Sequence, residues 1–210
     1  MKSLTLGAAA LLLLITSAVG QNAPAAKSSA ASEMPAAAAG QTMSASPGTP
    51  AADQSTPVKN PVATALRDLL PTRRKNTVEA LEAMPEDKYN YKPSPAQNTF
   101  AHLAAHMSDA NYALCSGAAA VPPPKFEKVS EWTPKDKLIT ALNASFDFCA
   151  DALAKMDDAR LGEMEEGGPG GQKVSRARFA LGIASNWADH YAEAAMYLRL
   201  NGILPPTAHK

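Results

Sequence analysis

Between Gln21 and Pro57 the chain holds no Leu, Ile, Val or aromatic residue, while every Phe, Tyr and Trp lies in residues 58–210. This uneven distribution confines any packed core to the C-terminal part. A stretch of Ala, Pro, Ser, Gly and Thr cannot bury enough apolar surface to offset its ordering entropy. Residues 21–57 are therefore expected to be a disordered linker, and residues 58–210 to form a single domain.

Ahead of the linker stands a different segment. Lys2 is the only charge in residues 1–20, an apolar run extends from Leu4 to Ile15, and Ala18-Val19-Gly20 places small residues at the end. This order describes a secretory signal peptide. The apolar run is shorter than the roughly 20 residues that span a bilayer. No stable membrane span is expected after cleavage; an uncleaved anchor is the alternative. The mature chain is thus expected in the periplasm or secreted.

The net charge is zero, which lacks the basic footprint of a nucleic-acid binder. Two cysteines are too few for a disulfide scaffold or a four-cysteine zinc site.

Periodicity predicts four helices. The first covers residues 61–84, opened by Asn60-Pro61, with Pro71 expected to kink or break it. The second covers residues 96–119, where Phe100, Leu103, Met107, Ala110 and Leu114 recur at helical steps, and Val121-Pro122-Pro123-Pro124 stops it. The third starts at Thr133-Pro134-Lys135-Asp136, with Thr133 as its cap. In it Ile139, Leu142, Phe146, Cys149, Leu153 and Met156 alternate steps of three and four, the cleanest bundle stripe in the chain. After a loop at Gly167-Gly168-Pro169-Gly170-Gly171, the fourth runs from a Ser175 cap to Asn201, with Gly202 as its stop. No run of alternating β-branched residues is present. The expected architecture is an all-α four-helix bundle with one long crossover through residues 120–133.

Within that bundle the four histidines carry most of the chemical content. His106 lies between Leu103 and Ala110 on the second helix, and His190 shares a stripe with Phe179, Ile183, Asn186 and Tyr197 on the fourth. Both are expected to point inward and meet, with Asn186 beside them. Bundle cores are a usual place for metal sites, and neutral imidazole is a common ligand. His102, one turn before His106, could form a pair with it or face solvent; His209 is expected at the surface. The bland reading makes His106 and His190 hydrogen-bonded core residues. Cys115 and Cys149 could join after export if the second and third helices run parallel; two buried thiols are the alternative.

Three stretches resemble one family in the right order. Thr99-Phe100-Ala101-His102-Leu103-Ala104-Ala105-His106-Met107-Ser108-Asp109-Ala110-Asn111 is similar to the second-helix motif of the DinB superfamily. Tyr197-Leu198-Arg199-Leu200-Asn201-Gly202-Ile203-Leu204-Pro205-Pro206, following His190-Tyr191, resembles its last helix and ending. Ala83-Met84-Pro85-Glu86-Asp87-Lys88-Tyr89 with Lys92-Pro93 fits its first loop. The resemblance implies a four-helix bundle holding a divalent metal, zinc or nickel, on three histidines. One comes from the second helix and two, four residues apart, from the last. His106 and His190 match two of these places. Asn186 stands at the third, and Ala192-Glu193 replaces the usual Gly-Gln or Gly-Asn. A neutral amide oxygen is a weak partner for zinc. His102, Asp109, Asp189 and Glu193 are the neighbours that could fill the vacancy, with Asp109 and Asp189 expected to face water.

Two functions follow. One is an exported domain with a degenerate His106/Asn186/His190 metal site, binding a partner or small molecule. The other is a metal-dependent thiol transferase or hydrolase that uses an open coordination position. No side chain is assigned a catalytic role, no organic cofactor is expected, and a homodimer stays open.

Overall fold

A computed structural model describes residues 57–167 and 169–209. The expected signal peptide, residues 1–20, and nearly all of the expected linker lie outside the described residues. Four helices make up the fold: α1 (Pro61–Ala83), α2 (Phe100–Ala119), α3 (Lys135–Ala154) and α4 (Arg176–Leu200). A two-residue antiparallel ribbon, β1 (Met164–Glu165) with β2 (Val174–Ser175), closes the glycine-rich loop before α4. In that loop Gly170 and Gly171 take positive φ of 69° and 76°, where a side chain would be strained.

Cross-helix contacts fix the directions. Asn111 meets Ser145, and Cys115 meets Cys149, so α2 and α3 run parallel. Arg67 reaches the Leu153 carbonyl and Arg74 reaches Asn143, so α1 opposes α3. Phe100 packs on Tyr197 and Trp187 bonds Asn111, so α2 opposes α4. Each helix packs on two neighbours, α1 and α2 both touching α3 and α4. The parallel α2–α3 pair requires the long crossover, which is why residues 120–134 run back along the bundle before α3 begins. It also brings the two cysteines level. They form a disulfide with Cα atoms 5.3 Å apart, inside the roughly 7 Å that bridging allows.

Most of the expected third-helix stripe is in the core, with Leu142, Phe146, Cys149, Leu153 and Met156 buried; Ile139 is only partly buried, and Leu138, one residue earlier, is buried instead. A polar thread crosses it. Trp187 Nε1 donates to Asn111 Oδ1 at 2.8 Å, and Asn111 Nδ2 donates to Ser145 Oγ at 2.9 Å. Every polar group in this thread is matched, which makes its burial tolerable and fixes α2, α3 and α4 in one register. Arg176, only 1% exposed, donates from Nε to the Ala118 carbonyl and pairs with Glu163 at 3.0 Å.

Three local expectations need correction. Pro71 does not break α1, which continues from Pro61 to Ala83. Pro71 is exposed, so the carbonyl it leaves without an amide partner faces the wet side of the helix. Thr133 does not cap α3; Pro134 holds the cap position and the Thr133 hydroxyl accepts from the Ser130 amide instead. The second helix starts at Phe100, not Ala96, because Thr99 accepts from the His102 amide and caps it there. Gly202 ends α4 as expected: at φ 73° it lets its own amide and that of Ile203 bond back to Arg199 and Leu198.

Candidate functional site

The α2 stripe turns Leu103 and Met107 inward and leaves His102 and His106 exposed. On α4, Trp187, Tyr191 and Ala194 are buried, and His190 sits at the stripe's edge with 22% of its side chain exposed. Antiparallel packing sets the edges of the two helices against each other. There the His106 and His190 rings meet edge to face, centroids 4.8 Å apart. The two histidines are thus together, but at the surface and not in the bundle interior. Each lies one helical step outside the buried arc, a distinction that three-four spacing alone cannot make.

Around the pair is a cleft of about 150 Å³ lined by Asn98, His102, Leu103, His106, His190 and Glu193. His190 Nδ1 is 3.3 Å from Glu193 Oε2. Tyr197 donates from its hydroxyl to the Asn98 carbonyl at 2.7 Å, pinning the turn that enters α2 to α4. The His106 pKa is held below the usual histidine value, first by partial burial and then by the neighbouring His190 and His102; Asp109 and Glu193 oppose this. His102 lines the cleft but stays exposed. The His209 side chain lies outside the described part.

Asn98 is the lining residue that sequence reasoning missed. No pattern marks it, since it precedes the helix and enters only through Tyr197. Asp189 is exposed as expected. Asp109 is not simply solvated: it is partly buried, and its Oδ1 is closed off with no hydrogen-bond partner.

The sequence profile of the DinB superfamily matches residues 69–194, which include both cysteines and the histidine pair. The chain belongs to the DinB superfamily. Solved DinB-like structures share the fold. A DinB-like protein from Bacillus cereus is 15% identical, with a TM-score of 0.55 over 68% of this chain and 95% of that one. A putative family member from Exiguobacterium sibiricum is 18% identical, with a TM-score of 0.53 over 69% and 95%. A DinB-like protein from Bacillus subtilis is 15% identical, with a TM-score of 0.52 over 66% and 92%. No curated protein matches the chain.

The DinB resemblance implies a metal on three histidines, and the side chains here can be tested against it. Among the described residues, no three His, Cys, Asp or Glu side chains gather as a metal-binding group. Asn186, at the third position, does not line the cleft, and its Oδ1 is buried without a partner. Glu193 is engaged by His190. Two imidazoles and a neutral amide do not fit a closed zinc site, whose ligands are imidazole, thiolate or carboxylate.

Proposed function

We propose that this chain is an exported DinB-superfamily binding domain that has lost tight metal ligation at its histidine pair. The observation that carries the reading is Asn186 at the position of the third imidazole; among the described residues no third His, Cys, Asp or Glu gathers with the pair as a metal-binding group. Export is supported by the Lys2, Leu4–Ile15 and Ala18-Val19-Gly20 pattern. It is also supported by the Cys115–Cys149 disulfide, a bond that persists in oxidising compartments. No described helix is long and apolar enough to cross a membrane.

One observation favours a second reading. His102 and Glu193 line the same cleft as the imidazole pair and are the side chains that would complete an open-position metal site of a thiol transferase or hydrolase. Two measurements test the proposal. N-terminal sequencing of protein from fractionated cells should find a chain beginning near Gln21 outside the cytoplasm; a cytoplasmic chain retaining Met1 overturns export. In competition with a chelating dye of about micromolar affinity, the mature chain should take up no zinc, since two imidazoles supply only part of a ligand set. Stoichiometric uptake favours the second reading.

A further inference from the structure

A second cavity, away from the histidine cleft, has the size and chemistry of a ligand site. It is a groove of about 610 Å³ between α2, α3 and the crossover. Ligand pockets usually measure about 300–1,000 Å³, so this groove is in range and the histidine cleft is not. Its floor is aromatic: Tyr112 stacks on Phe126 with centroids 3.9 Å apart and planes 10° from parallel. At its rim stands Trp132, 79% exposed. A chain that leaves its largest apolar side chain in water on a crossover forgoes the burial that would stabilise it.

Polar groups of both kinds line the same groove. Asp109 and Glu127 supply acceptors, Lys128 and Lys137 donors, and Thr140 a hydroxyl. None of the four charged residues forms an ion pair among the described residues. An anion would oppose the carboxylates and a cation the lysines. Hydroxyl groups, each both donor and acceptor, match the mixed set. A ring with a flat C–H face matches the exposed indole.

We propose that this groove binds a pyranose sugar chain, with one ring stacked on Trp132 and its hydroxyls shared between Asp109, Glu127, Lys128 and Lys137. The site is separate from the histidine pair and does not depend on its metal content.

The tryptophans supply the readout. Trp187 is buried and Trp132 is exposed, so a ligand in the groove changes the emission of Trp132 alone. The full mature chain is titrated with cellotriose, xylotriose and chitotriose, and with sorbitol as a polyol lacking a ring face. The expected result is a saturable blue shift with at least one trisaccharide and none with sorbitol. By calorimetry, Trp132→Ala should weaken that binding about 10-fold or more, and Asp109→Asn should weaken it by a similar factor. Trp132→Phe, which keeps a ring, should retain most of it. Trp132 is exposed, so its variants should melt as the wild type does. No saturation with any of the three sugars, or unchanged affinity in Trp132→Ala, would overturn the proposal. So would equal response to sorbitol.

Discussion

The proposed loss of metal ligation turns on Asn186. It stands four residues before His190, and its amide oxygen is buried without a partner. Replacing it with histidine puts a stronger ligand at the same helical phase. Asn186→His should raise zinc affinity by about 10-fold or more, given the preference of zinc for imidazole over a neutral oxygen. Calorimetric titration of both forms checks this; equal affinities would mean that position 186 does not address the histidine pair. Glu163 carries a second residue-scale prediction. Its hydrogen bonds to Arg160 and then Arg176 hold its carboxyl below 4.5, its ordinary value. A carboxyl depressed on folding contributes stability above its unfolded pKa and loses it as pH falls through the folded one. The melting temperature of Glu163→Gln should therefore lie below that of the wild type at pH 7, and the gap should close as both are acidified below pH 4. A gap that stays constant from pH 7 to pH 3 would show that the charge on Glu163 is irrelevant. The sequence revealed that His106 and His190 would meet. It did not reveal that they meet in the open, because a stripe drawn at three-four steps cannot separate the centre of a buried arc from its border.

The helices themselves were legible from period and punctuation. Pro61, the triple proline after Val121, and Gly202 mark ends that the structure keeps. What was not legible came from far along the chain. The α1 amides of Val62 and Ala63 donate to Asp158, at 2.6 and 3.0 Å, from the turn after α3. A carboxylate there satisfies two orphan donors and opposes the helix dipole, and no local spacing announces a cap that is 95 residues away. Asp158→Ala should cost about 1 kcal/mol, the usual worth of a cap, seen as a lower midpoint in urea with an unchanged slope. An unchanged midpoint would leave α1 capped by other means. The disulfide makes a larger claim on the α2–α3 pair. Cys115 and Cys149 are 34 residues apart, so replacing both with Ala should cost about 2–4 kcal/mol by releasing a long loop in the unfolded chain. The double variant should melt well below the wild type under non-reducing conditions, and the two should not coincide.

At the scale of the whole molecule, one bundle presents two separate chemistries. On the α2–α4 edge is a small cleft that holds two imidazoles, His106 and His190. Between α2, α3 and the crossover is a larger aromatic groove, and the parallel α2–α3 arrangement that demands the crossover also creates it. The crossover was expected from its length and prolines. The groove beneath it was not, because Phe126 and Trp132 sit in a stretch with no period to read. We propose that this DinB-superfamily domain does not hold a tight metal. Metal analysis of the mature chain tests it most directly: the protein is loaded with zinc and, separately, nickel, desalted, and measured by mass spectrometry alongside Asn186→His. Far less than one metal per wild-type chain is expected for both ions. One firmly held zinc or nickel per chain would contradict it.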